Sequence, residues 1–98
     1  MLQSRLIDLS DYKEEDLEIK GIKGGVLAIT TEGNPSVTVK GKNGALDAEY
    51  TLAIVNLSDF SKSNSISGEG DFVAPIIGLD RVILEVSGSG KILLREMA

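Results

Sequence analysis

The 98-residue sequence contains no cysteine, no histidine and no tryptophan. Without cysteine there is no disulfide framework, no thiolate nucleophile and no cysteine-ligated zinc. Without histidine the commonest general base, the Ser-His-Asp arrangement and the commonest transition-metal ligand are all missing. Aromatic residues number only four, Tyr12, Tyr50, Phe60 and Phe72, so a core must be built from Val, Ile and Leu. Positive charge is also scarce. Ten Lys and Arg stand against fifteen Asp and Glu, giving a net charge of −5, which argues against a duplex DNA or RNA partner. Lys40-Gly41-Lys42 is too small a basic cluster to change that. No apolar run approaches the roughly 20 residues of a membrane-spanning helix. Met1-Leu2-Gln3-Ser4-Arg5 leads into a strand-like segment and not into the apolar stretch of a signal peptide, so the expectation is a soluble chain, made in the cytoplasm and outside the membrane.

What the sequence does carry is period-2 alternation, the mark of half-buried strands. It is clearest over residues 79–96. Val82, Leu84 and Val86 share one parity, and Ile92 and Leu94 continue it beyond Gly88-Ser89-Gly90. A three-residue loop at those glycines predicts a terminal hairpin that sets Val86 against Ile92 and Leu84 against Leu94, with Gly90 supplying the positive φ. Residues 26–31 and 36–41 predict a second hairpin about Glu32-Gly33-Asn34-Pro35, with Leu27 and Ile29 facing Val39 and Val37. Asn43-Gly44 predicts a third, a type I′ turn that places Val39 opposite Ala48 and Val37 opposite Tyr50. Residues 5–9 read as a first edge strand and 49–56 as a strand with Tyr50, Leu52 and Ile54 inward. Residues 57–70, rich in Ser, Asn and Gly, read as a crossing connection anchored by Phe60 and Ile66, ahead of a short strand at 71–75. Seven or eight short strands with Gly-rich turns and at most one helical turn predict an all-β chain. The fold expected is a single small antiparallel β-sandwich spanning 1–98, jelly-roll or immunoglobulin-like. Residues 1–20 supply the N-terminal edge strand and an acidic loop, and 21–98 the main sandwich.

Candidate sites are few. Ser87-Gly88-Ser89-Gly90-Lys91 looks like a phosphate loop, but Glu85 occupies the place of the first Walker glycine and Ile92 that of the Ser or Thr after the lysine. The hairpin turn is the better reading, and Gly44, Gly88 and Gly90 are assigned as turn glycines. Asp11, Glu14, Glu15 and Asp16 lack the alternating ligands and glycine of a calcium loop. They read as a solvated loop, with a helical turn capped by Asp11 and Glu14 as the alternative. Glu69 and Asp71 form a weaker acidic pair with the same reading. Any two of the acids could converge as a glycosidase pair, but sugar-stacking platforms are scarce. The Asn56-Leu57-Ser58 sequon has no secretory signal to make it meaningful. No catalytic residue, cofactor site or metal site is expected, and the chain is read as no enzyme. Ile83 and Leu93 stand out because both fall on the outward side of the terminal hairpin, as diagonal neighbours. With Arg95 they are the candidate interface, on a hairpin at or near a sheet edge.

From Gly21 onward the chain resembles small β-sandwich domains of tailed-phage and prophage structural proteins, of the capsid decoration, head-fibre and tail or baseplate accessory types. The resemblance rests on residues 25–31 and 36–44 with their Asn-Gly turn, on the aromatic-led strand Tyr50-Thr51-Leu52-Ala53-Ile54, and on the Ser/Asn-rich crossing. It extends to the Gly-Asp-Phe strand start and Gly78-Leu79-Asp80-Arg81-Val82. Tyr50 stands where that pattern usually has Trp, and residues 45–49 look like added loop. The resemblance implies a non-enzymatic virion structural or accessory protein that self-associates, a trimer being one form, and docks on other virion proteins. The alternative is a module binding carbohydrate or another host-surface ligand through its loops.

Overall fold

The structure, a computed structural model, describes residues 3–10, 15–20, 24–43 and 48–97. All elements among them are strands: β1 (Gln3–Asp8), β2 (Glu15–Lys20), β3 (Val26–Lys42), β4 (Tyr50–Thr51), β5 (Ile54–Asn56), β6 (Lys62–Ser63), β7 (Ile66–Ser67), β8 (Gly70–Pro75) and β9 (Arg81–Met97). They join in one antiparallel sheet of nine strands, ordered β1-β9-β3-β8-β5-β6, with β2 also on β9 and with β4 and β7 also on β3. The all-β expectation holds.

Two of the three predicted hairpins are absent. β3 and β9 are each one strand of 17 residues, paired with each other from Val26↔Met97 to Lys42↔Arg81. The segments read as turns face one another in that ladder, as Gly33↔Gly90, Asn34↔Ser89 and Pro35↔Gly88. A straight strand of that length would run about 55 Å, yet the longest extent of the molecule is 35 Å. Both strands therefore bend, and the glycines mark where: Gly33, Gly88 and Gly90 have φ of 88°, 90° and 115°. A Cβ on Gly90 would collide with the Glu32 carbonyl oxygen, and one on Gly88 would sit 2.5 Å from that of Asn34. Side chains are excluded there by close backbone approach as well as by φ. The Leu9 N–H donates to the Gly90 carbonyl and the Gly68 N–H to that of Pro35, at 2.9 and 3.0 Å. Buried Thr31 donates its hydroxyl to the Gly68 carbonyl at 2.7 Å.

The bend folds the sheet over itself. One half comprises β1, the end of β9, the start of β3, β8, β5 and β6. The other comprises β2, the start of β9, the end of β3, β4 and β7. Ile7, Ile29, Ile92 and Leu94 from the first half join Val37, Val39, Val82 and Leu84 from the second in a single buried cluster. Val86 and Ile92, or Leu84 and Leu94, thus meet across the core and not side by side in a ladder.

The third hairpin forms with a different register. Gly41 pairs with Tyr50 and Lys40 with Thr51, and the Leu52 N–H donates to the Val39 carbonyl, so Leu52 replaces Ala48 opposite Val39. A two-residue turn at Asn43-Gly44 is incompatible with that register; Gly44 itself lies outside the described residues. Tyr50 falls at the sheet margin, exposed rather than inward, and the strand breaks into β4 and β5 while Ile54 stays buried. The crossing carries β6 and β7. Ile66 anchors it as expected, but Phe60 does not, being 75% exposed.

Candidate contact surface

The outward side of the folded sheet has two chemically distinct faces. On the half built around the start of β9, Lys40 Nζ lies 3.0 Å from Glu85 and 3.9 Å from Glu49, and Lys42 Nζ 3.7 Å from Glu49. Arg81 pairs with Glu18 at 3.6 Å and with Asp80 at 3.8 Å. Ile83 sits among these charges, flanked in register by Glu18 and Lys40. This is a solvated, ion-paired surface.

The other half carries apolar neighbours within mixed rows: the Leu6 and Leu93 row continues into Thr30 and Asp71, and Asp8, Lys91 and Glu32 lie next to the bend. Register places Leu6 beside Leu93, Ala28 beside Val73, Val73 beside Val55, and Val26 between Met97 and Pro75. Leu6 is 61% exposed, Met97 40% and the adjoining Ile77 79%, while Val26, Val55, Val73 and Leu93 are half-buried. Arg95, exposed, adjoins Ala28 and Ser4. Isolated exposed aliphatics are ordinary, but adjacent ones spread over several strands mark contact surfaces.

The candidate interface is therefore divided. Ile83 and Leu93 are both outward, as their parity requires, but they are not diagonal neighbours of a hairpin. They stand on one strand on opposite sides of the bend. Leu93 and Arg95 belong to the apolar face and Ile83 to the charged one. Leu6, Val26, Val55, Val73 and Met97 went unrecognised in the sequence, because what makes them a surface is strand adjacency.

The remaining candidates acquire positions but no chemistry. Ser87–Lys91 is strand, not a phosphate loop. Asp11 and Glu14 lie outside the described residues, and Glu15 and Asp16 open β2. Asp71 accepts the Thr30 hydroxyl at 2.7 Å. Among the described residues, no group of three or more acidic, His or Cys side chains is placed to hold a metal ion, and no helix is long and apolar enough to cross a membrane. Among the described residues, two carboxyls are held below the usual range by local hydrogen bonds. Asp8 accepts the N–H and then the hydroxyl of Ser10, and Asp59 those of Ser61. The Asp59 turn carries Phe60 at φ 59°, a left-handed conformation uncommon for a bulky residue.

No protein-family profile matches the chain, and no curated protein sequence does. Among solved structures, the SPBc2 prophage-derived protein YomS is similar over 97% of this chain and 91% of its own, with a TM-score of 0.69 and 14% identity. The PBSX exported protein XepA is similar over 96% of this chain, again with a TM-score of 0.69 and 14% identity. This chain spans only 37% of the XepA chain. The fold is thus one found in two prophage proteins.

Proposed function

We propose that the chain is a phage- or prophage-encoded accessory protein without enzymatic activity, which works by presenting the apolar half of its folded sheet to partners. It self-associates through that face and docks on a capsid or tail component of the virion. The observation that carries this reading is the face itself, with Leu6, Leu93, Val73, Val26 and Met97 brought together on adjacent strands. The shared fold with two prophage proteins and the acidic composition, lacking Cys and His, support it. A second reading, glycan binding, gains one observation: Phe60 is presented outward on the long polar loop, where a ring is available to stack on a sugar. Saccharide-induced NMR shifts at Phe60 would favour that reading.

Sedimentation velocity across a concentration series tests the first. The wild type is expected to associate, the Leu6→Asp/Leu93→Asp variant to remain a folded monomer, and Ile83→Asp to associate like the wild type. A chain that stays monomeric at every concentration, and that isolated capsids and tails fail to retain, contradicts the proposal.

A further inference from the structure

Folding the sheet over itself closes one end at the glycine bend and leaves the other end open. There a cavity of about 340 Å³ lies between the two halves, lined by Leu27, Ile76 and Leu94 from one and by Val82 and Ile19 from the other. Its volume falls at the lower end of the roughly 300–1,000 Å³ typical of small-molecule sites, which are mostly apolar with a few polar groups for orientation. Leu27, Ile76, Val82 and Leu94 form its packed floor, at 4%, 1%, 0% and 2% exposure, and the open part runs along Ile19, Ser4, Arg5 and Glu96.

Among the described residues that line it, two are charged, Arg5 and Glu96. They are not equivalent. The Glu96 carboxylate is engaged, accepting the Gly24 N–H at 2.6 Å. The Arg5 guanidinium has no ion-pair or hydrogen-bond partner among the described residues. It sits opposite Leu94 in the ladder of edge strand β1, and although it shares the parity of buried Ile7 it is itself exposed, at the rim. In a chain of net charge −5, an unpaired guanidinium beside an apolar chamber selects for an anionic head on an apolar tail, since Arg offers a planar fork matched to a carboxylate.

We propose that this cavity binds a single-chain anionic amphiphile, a fatty acid of medium length, with its alkyl chain between the halves and its carboxylate on Arg5. The apolar lining belongs to the inward face, and Ser4, beside Arg95 in the ladder, borders both surfaces. A rival role for Arg5 is to guard an edge strand against unwanted pairing; that role makes no demand on ligand chemistry.

The experiment is a methyl NMR titration of the full chain with decanoate below its micellar concentration, alongside octanoate and decanol. Saturable shifts are expected at the methyls of Leu27, Ile76, Val82 and Leu94. Affinity is expected to rise roughly fourfold per added methylene, the increment for burying one CH₂. Arg5→Gln is expected to weaken decanoate at least about tenfold while leaving decanol unchanged. Ile19→Phe, which narrows the chamber without touching the charge, is expected to weaken both. Shifts confined to the outward Leu6 and Leu93, equal binding to Arg5→Gln, or no shift at any concentration each overturn the proposal. So does retention by phosphatidylglycerol vesicles without binding of free decanoate, which would point to a membrane surface.

Discussion

The two outward faces of the folded sheet are built from the same two strands, β3 and β9, yet one is laced with ion pairs and the other lined with aliphatics. On the first, Lys40, Lys42 and Arg81 meet Glu85, Glu49 and Glu18; on the second, Leu93 pairs with Leu6, Val26 with Met97, and Val73 with Ala28 and Val55. The inward sides of both halves contribute buried aliphatics to one core. Core formation therefore does not explain the asymmetry, because outward side chains contribute little to it. A surface that a monomer has no need of is the feature that asks for a partner, and the charged half supplies the internal control.

The largest effect is expected at the bend that separates the faces. Gly90→Ala brings a Cβ against the Glu32 carbonyl at a positive φ and is expected to cost more than about 3 kcal/mol by urea denaturation. Gly68→Ala, also at positive φ but with open space around its Cβ, is expected to cost only about 1 kcal/mol. Equal costs would mean that close approach at the bend is unimportant. Next comes the contrast between neighbours on β9. Leu94→Ala, on the buried side, is expected to cost about 3 kcal/mol, and Leu93→Ala, outward, less than about 1 kcal/mol in the dissociated chain. Similar losses at the two positions would place Leu93 in the core and remove it from the contact surface.

On the charged face the effects are smaller. Lys40→Met breaks partly exposed ion pairs and is expected to cost no more than about 1 kcal/mol, less still in high salt. A larger and salt-independent loss would show that this face is more than a solvated one. The smallest effect is expected at two carboxylates held by local hydrogen bonds. Asp8 and Asp59 have folded pKa values below the ordinary one, so they stabilise the fold above about pH 3.9, and that contribution is lost as pH falls through their lowered values. Asp59→Asn keeps the accepting oxygen, and the acid limb of its stability profile is expected to flatten; an unchanged limb would mean that the Ser61 hydrogen bonds contribute nothing.

The strands and their inward residues were legible in the sequence. Leu27, Ile29, Val37, Val39, Val82, Leu84, Val86, Ile92 and Leu94 all face the core as the alternation demands. The path of the chain was not. An odd-length loop between two strands preserves parity, and so does a single strand that bends, so Val86 and Ile92 share a face in either case. Glycines at positive φ suit both. What decides between them is the pairing of Gly33 with Gly90, a contact between distant segments that neither segment announces. The contact surface was half legible for the same reason. Outward aliphatics were visible at Ile83 and Leu93, but which of them has apolar neighbours depends on strand adjacency. Phe60 misled because an aromatic residue in a polar loop ordinarily anchors it, whereas here its backbone conformation turns it to solvent.

The absence of cysteine allows the comparison between faces to be read directly, with spin labels on single Leu93→Cys and Ile83→Cys variants. The account predicts that raising the concentration immobilises the label at position 93 and brings labels within reach of one another, while the label at 83 stays mobile throughout. Immobilisation at 83 with free motion at 93 would contradict it, and the charged half of the sheet would then be the face that meets a partner.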